Sequence, residues 1–503
     1  VLSDWLTHRA ATTPDRIALI AGGRSWTFAT LDAEATRTAR RLARHGVRAG
    51  DRVATVLPNG PASAVLVHAL LRVGAILVPL NTRLSDVELA WQIADVAPRL
   101  LIVDDRSAAL VRGIPQESRT LPVLHLDAAG SPLLGSSDAD SDAATEAPLQ
   151  LAHDPAAILA IIYTSGTTGR PKGAMLTVGN FWWSAVGSAL NLGTHADDRW
   201  LACLPLFHVG GLSIVLRAAI YGIAAVVHEG FDPVAVNRAL DDERITIVSV
   251  VAVMLQRMVD ARGAVPYPSS LRTVLVGGGP VPRALLEHCA ALGIPVVQTY
   301  GLTETASQVA TLAPDEALRK IGASGRALYP NRIRIARADG DANPGEVGEI
   351  LVRGPVVMAG YLGQPDETAR TITDGWLHTG DIGHIDAEGC LVVLDRRDDL
   401  IITGGENVYP AEVEAALLEH AEVAEAGVIG IEDRAWGQRV VAFVRMRGAG
   451  GAETSEALRL HCRERLAGYK VPSEIRVVDG PLPRTASGKL QRRLLSERAA
   501  SPT

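Results

Sequence analysis

Between residues 51 and 80 the period of apolar and polar positions changes twice. "DRVATVLP" is a short, nearly continuous apolar run, "ASAVLVHALLRVG" carries its apolar residues at helical spacing and stops at a glycine, and "AILVPL" is extended again. This predicts strand, helix and strand, the seed of a mostly parallel sheet covered by helices. The alternation returns in "RWLACLPL", "AAVVH", "TIVSVV", "TVLVGGG" and "PVVQTYG", with helical patterns between most of them, so a layered α/β body is expected. His68, Arg72, Gly74 and Pro79 interrupt the apolar stretch from Val65 to Leu80, which argues against a membrane span.

The texture changes near residue 384. "HIDAEGCLVVLDRRDDLIITGG" reads as a hairpin turning at Glu388 and Gly389, then an extended segment stopped by Gly404 and Gly405. "YPAEVEAALLEH" starts a helix, with Pro410 near its first position and acidic residues in its first turn. The expected division is residues 1–397 as a large N-terminal domain and 398–503 as a small α+β domain, separated at the charged step around Asp398.

Composition narrows the function. A chain of 503 residues exceeds one ordinary core, and 47% hydrophobic with 21% charged residues is ordinary for a globular protein. A net charge of -7 offers no basic footprint for nucleic acid. Cys203, Cys289, Cys390 and Cys462 lie far apart without a C-x-x-C spacing, which favours reduced thiols in a cytoplasm over disulfides or zinc. The first twenty residues show no basic region leading into an apolar run, so no secretory signal is expected. Residues 127–148 are acidic, small and turn-rich, an exposed loop with no derivable task. The oligomeric state, a homodimer included, is left open.

Only four of the 49 basic residues are lysines: Lys172, Lys320, Lys470 and Lys489. Where arginine is the default cation, a lysine hints at work for a compact ammonium on a flexible stem. Lys172 lies in "YTSGTTGRPKGAM", whose glycines and hydroxyls can turn amides and side chains toward one anion. It is not a Walker loop, because Lys172 is followed by Gly173 and the glycine spacing differs.

With "RPKG" completing it, the motif resembles the phosphate loop of the adenylate-forming superfamily of acyl-CoA synthetases, adenylation domains and luciferases. The resemblance spans essentially the whole chain, with "LPLFH" at 204–208, "YGLTE" at 300–304, "TGD" at 379–381, "DRRDDLIITGGENVYPAEVE" at 395–414 and "PRTASGK" at 483–489 in family order. It implies layered α/β subdomains with a small β-barrel-like part, followed by a mobile α+β lid. It also implies a reaction of ATP, Mg²⁺ and a carboxylic acid to an acyl-AMP, then transfer of the acyl group to coenzyme A.

Attack of one anion on another is slow through repulsion and poor orientation, so placed cations and donors should supply most of the catalysis. Carried over by motif, Thr164, Ser165, Gly166, Thr167, Thr168, Gly169 and Lys172 would hold phosphates. Glu304, after Thr303, would take Mg²⁺, a hard cation suited to carboxylate and phosphate oxygens. Asp381 and Arg396 would hold the ribose, and Tyr300 and Gly301 the nucleotide. Gly277, Gly278 and Gly279 would let a flat ring and the acyl group approach, a structural turn being the alternative. Lys489 would bridge the acyl carboxylate and α-phosphate in the transition state, and its setting resembles an acetylation site of some relatives. Asp398 would be the hinge, Gly404 and Gly405 the passage for the pantetheine arm, and Lys470 a contact on the CoA side. Lys320 reads as structural.

The acid itself is addressed by two features. His208 in "FHVGGL" is followed by apolar or small residues rather than the aspartate with which amino-acid adenylation domains hold an ammonium, so a neutral or anionic acid is expected. Arg217 interrupts an apolar helical run beside the acyl pocket, where a guanidinium is costly without an anion. It reads either as a clamp for a second substrate carboxylate or as half of an internal ion pair. "SALNLG", "DRWLACLPLFHVGGLS", "LVGGGPVPRALLEHC" and "VVQTYGLTETASQ" look like the o-succinylbenzoate–CoA ligases of menaquinone biosynthesis. A ligase for another aryl or medium-chain acid, or an enzyme loading a carrier protein, stands as the alternative. Retention of Lys172, Glu304, Asp381 and Lys489 argues against a binding protein without catalysis.

Overall fold

The computed structural model describes residues 1–109, 121–126, 148–164, 171–279, 281, 283–317, 319–337, 340–395, 400–447, 452–483, 490 and 492–500. Ser165, Gly166, Thr167, Thr168, Gly169, Arg396, Asp398, Lys489 and nearly all of the acidic stretch lie outside them.

Two large sheets form the body. In the first, Val123–Leu126, Leu100–Asp104, Arg52–Val56, Ile76–Pro79 and Ile158–Thr164 run parallel. Antiparallel Lys172–Thr177 and Gly360–Tyr361 extend it on the Ile158–Thr164 side. In the second, Val296–Tyr300, Thr273–Val276, Ile247–Val250, Arg199–Ala202, Ala224–Val227 and Ile17–Ala21 run parallel between short antiparallel edges. Central strands such as Thr273–Val276 and Ile247–Val250 are buried along their length, as expected where helices cover both faces.

The expected strand-helix-strand unit is present. Pro61 opens the helix Pro61–Val73, and Gly74 at φ 75° ends it in the left-handed region, where a Cβ would be strained. Arg72, which broke the apolar run, is fully buried and lies 3.0 Å from Asp4 and 2.5 Å from Asp32.

An antiparallel sheet follows, containing Arg332–Arg337, Gly348–Arg353, Trp376–Ile385 and Leu391–Asp395. It is the barrel-like part, and its last hairpin turns at Gly389 as expected. The next described strand, Ile401–Thr403, belongs to a different sheet, that of the small domain. There Glu406–Val408, Ile401–Thr403, Gly437–Met446 and Val423–Asp433 are antiparallel, and Glu474–Val477 pairs in parallel with Gly437–Met446. The helix Pro410–Leu418 begins at the expected proline and closes a separate core with Val413, Leu417, Val428, Val444 and Leu458. Among the described residues no helix is long and apolar enough to cross a membrane.

Candidate active site

The carboxyl ends of the parallel strands open onto a cleft of about 410 Å³ between the body and the small domain. This is where an open α/β sheet leaves strand ends and loops free to hold a ligand.

One end is built by strand termini. Thr164 closes one strand and Lys172 opens the next, directly opposite it in register. The Lys172 ammonium is buried, lies 5.3 Å from the centre of the Tyr361 ring and is hydrogen-bonded to Glu367. That bond from Lys172, ahead of the opposing effect of burial, holds the Glu367 carboxyl below its usual range. Glu304, in the turn Thr303–Thr305, accepts a hydrogen bond of 2.9 Å from the Tyr361 hydroxyl and sits 3.5 Å from that of Thr164. Among the described residues no three His, Cys, Asp or Glu side chains cluster as a metal cage. Glu304, a single carboxylate in the lining of the cleft, nevertheless fits Mg²⁺, which keeps its waters and shares substrate phosphates.

Farther along, the Tyr300 hydroxyl donates to Asp381 over 2.7 Å, and both residues are buried. Gly277, Gly278 and Gly301 line the cleft. A Cβ on Gly277 would lie 2.7 Å from Thr299, and one on Gly301 would lie 1.5 Å from the Ser307 carbonyl oxygen. Gly279 serves differently: its position for a Cβ is 2.4 Å from Ile402, so it lets the small domain come close instead of a ring.

The small domain supplies the opposite wall. Gly404 and Gly405, at φ 58° and 84°, form a left-handed turn lining the cleft. Glu406 follows at 3% exposure, 3.1 Å from His208, 2.8 Å from Arg83 and 3.3 Å from Asn81. Burial alone would raise the Glu406 carboxyl, but the hydrogen bond from His208 and the neighbouring cations hold it below its usual range.

Arg217 lies on the helix Val209–Tyr221 at 2% exposure and lines the cleft. Its Nη2 donates to the Ser184 hydroxyl over 3.0 Å, and its guanidinium lies 5.6 Å from the centre of the Trp200 ring. Nε has no partner, and among the described residues no carboxylate comes within ion-pair distance. Burial pushes its pKa down.

Lys470 lines the same cleft, and its ammonium is 3% exposed and bonded to Glu88 at 2.5 Å and Glu412 at 2.8 Å, a charge enclosed between carboxylates. Burial would depress it, yet Glu412 and the other acidic neighbours hold it above the usual lysine range. Lys320 is paired with Asp386 and Glu388, in line with a structural role. Sequence reading missed Glu406, Tyr361, Glu367 and Glu88 as members of the site or its walls. Only Glu406 carried a local signal, an acid set in the small and apolar "IITGGENVY".

Residues 6–362 match the family AMP-binding enzyme, and residues 412–489 match the AMP-binding enzyme C-terminal domain. The chain belongs to the AMP-binding enzymes. A 2-succinylbenzoate–CoA ligase from Geobacillus kaustophilus is 49% identical to this AMP-binding enzyme, over 98% of this chain and 97% of its own. The o-succinylbenzoate CoA synthetase of Bacillus subtilis has been solved in several states. A double mutant bound to the product analogue OSB-NCoA superposes with a TM-score of 0.89 at 41% identity, covering 99% of this chain and 98% of that one. The form with the acyl-adenylate intermediate OSB-AMP gives 0.73 at 42%, covering 98% of each. The form with ATP and magnesium gives 0.72 at 42%, covering 98% of this chain and 99% of that one. Those scores vary among forms of one protein, so they reflect how its parts are arranged. The present AMP-binding enzyme superposes better on the form holding the CoA product analogue than on either nucleotide-bound form.

Proposed function

We propose that the chain is an AMP-forming 2-succinylbenzoate–CoA ligase, with ATP, Mg²⁺, the keto dicarboxylate and coenzyme A as its small-molecule partners, working in the cytoplasm. The observation that carries the substrate is Arg217. A buried guanidinium facing the cleft, with no carboxylate beside it among the described residues, is expensive unless a ligand supplies the anion. A second carboxylate on the acid would do so, with Ser184 orienting the fork.

In the first step a substrate carboxylate oxygen attacks the α-phosphorus and pyrophosphate leaves. Lys172 exchanges Glu367 for phosphate oxygens, and Thr164 lies beside it at the same end of the cleft. The loop residues Ser165, Gly166, Thr167, Thr168 and Gly169 belong to the same cradle by motif. Glu304 would hold Mg²⁺, which supplies charge neutralisation to the polyphosphate. Asp381, oriented by Tyr300, accepts from the ribose hydroxyls, Arg396 donates to the same sugar by motif, and Lys489 is assigned to the α-phosphate by resemblance alone.

In the second step the thiol sulfur attacks the acyl carbon and AMP leaves. Gly405 leaves room for the pantetheine arm, since a Cβ there would face Val251 and Met254 of the cleft, whereas on Gly404 it would meet Trp436 of the small domain. Glu406 holds the His208 ring to one wall of that passage. The small domain pivots at Asp398 between the steps.

The test is pyrophosphate release with ATP, Mg²⁺ and a panel of o-succinylbenzoate, benzoate, octanoate and malonate, with free CoA or a carrier protein as acceptor. o-Succinylbenzoate with free CoA should be turned over selectively. Arg217→Ala should raise KM for that acid by ten- to a hundredfold, about the worth of a charged hydrogen bond. Equal turnover of benzoate would retain the reaction and remove the clamp.

A further inference from the structure

The helix Asp86–Val96 of the body begins with a reciprocal cap, in which the Ser85 hydroxyl accepts from the Glu88 amide and Glu88 Oε2 accepts from Ser85. The other oxygen of Glu88 is used differently. Oε1 accepts a 2.5 Å hydrogen bond from Lys470 of the small domain. Ser85 Oγ adds a 3.1 Å contact to the Arg465 carbonyl oxygen. Glu88 is 10% exposed and Lys470 3%, so the ion pair crosses the domain boundary out of water.

We propose that Glu88 and Lys470 are positioning residues for the thiol step, an ion-pair clasp that holds the small domain where Gly404 and Gly405 face the cleft. The proposal rests on the two-step reading above. Glu412 and Lys470 belong to one domain and travel together, so their 2.8 Å contact survives any rotation about the linker. Glu88 stays with the body. Rotation therefore breaks one bond of Lys470 and keeps the other, and the ammonium is never left without a carboxylate. Such a pair discriminates between arrangements at little cost to the fold, because breaking it strands no buried charge.

Glu88→Gln tests this, since the glutamine oxygen can complete the same helix cap while its NH2 group, facing Lys470, offers neither charge nor acceptor. Acyl-adenylate formation, read as pyrophosphate release in a single turnover, should stay within about twofold of wild type. Thioester formation from pre-formed acyl-adenylate should slow by about tenfold or more, the worth of one charged hydrogen bond. Lys470→Gln also strips buried Glu412 of its cation, so it should add a loss of thermal stability that Glu88→Gln does not show; in the Lys470→Gln background, Glu88→Gln should slow thioester formation little further.

A second readout needs no turnover. The four native cysteines are buried, so spin labels on Leu190→Cys and Leu460→Cys, at 68% and 54% exposure, would report the distance between the domains. Glu88→Gln should lower the share of molecules at the separation seen here, with and without CoA. Equal slowing of both half-reactions, or an unchanged distance distribution, would overturn the clasp. Failure of the wild type to use o-succinylbenzoate would instead overturn the substrate, since the distance measurement is independent of it.

Discussion

Lys172 enters the reaction already paired. Its partner Glu367 occupies the ammonium with a carboxylate and is itself held from the other side by Arg370 at 2.6 Å. A nucleotide must displace that carboxylate, so Glu367→Gln should lower KM for ATP by up to about fivefold while leaving kcat near wild type, the range expected for one partly exposed ion pair. A raised KM in initial-rate assays would make Glu367 an orienting group for Lys172 instead. At this scale the sequence was informative where chemistry was locally anomalous. Arg217 stood out as a charge in an apolar helix, and among the described residues its buried guanidinium pairs with no carboxylate, which weighs against the internal ion pair. Lys470 stood out by its rarity and by the resemblance that put it on the CoA side. Its partner Glu88 is 382 positions away, and nothing local to either residue announces the other.

The elements were more legible than their contacts, because apolar period and breakers act locally. The strands around Gly277, the helix ending at Gly74 and the turn at Gly404 and Gly405 all lie where glycine, proline and periodicity put them. What periodicity does not encode is which edge meets which domain, and so Gly279 proved to face Ile402. The linker is tested by Asp398→Pro, which fixes φ: acyl-adenylate formation should persist and thioester formation should slow at least tenfold if the barrier to domain rotation rises by about 1.4 kcal/mol. Equal loss in both half-reactions would refute a hinge at that residue.

The first helix, Trp5–Thr12, is anchored by Asp4, which contacts Arg72 at 3.0 Å and His153 at 3.2 Å. Burial lowers the nearby His68 from 6.5 to about 4, chiefly by penalising its charged form, so its contribution to stability is present above pH 6.5 and is lost as pH falls toward 4. The loss should reach about 1 kcal/mol at pH 5.5 from the proton linkage of one such group. Thermal unfolding at pH 7.5 and 5.5 should show it, and His68→Leu should reduce the difference.

At the scale of the molecule, one cleft has two walls on separate cores, and the small domain approaches the body through the segment from Asn81 to Glu88, His208 and Gly279. Six ordered motifs made the fold family readable along the chain, whereas the present arrangement of its parts was not readable, because it depends on pairings between distant segments. The scarcity of lysine has a consequence for what such a cleft makes. An acyl-adenylate is a mixed anhydride, and any that escapes acylates free amines. Lys172, Lys320 and Lys470 each hold their ammonium against carboxylates, at 7%, 14% and 3% exposure. Protonated and enclosed, they are poor nucleophiles, so the chain presents few amines to its own intermediate. Lys172 trades its carboxylate for phosphate once ATP binds, so the test falls on the other two: peptide mapping after incubation with ATP and acid but no CoA should find Lys320 and Lys470 unmodified, and adducts on them would mean that their pairings open while the anhydride waits for its thiol.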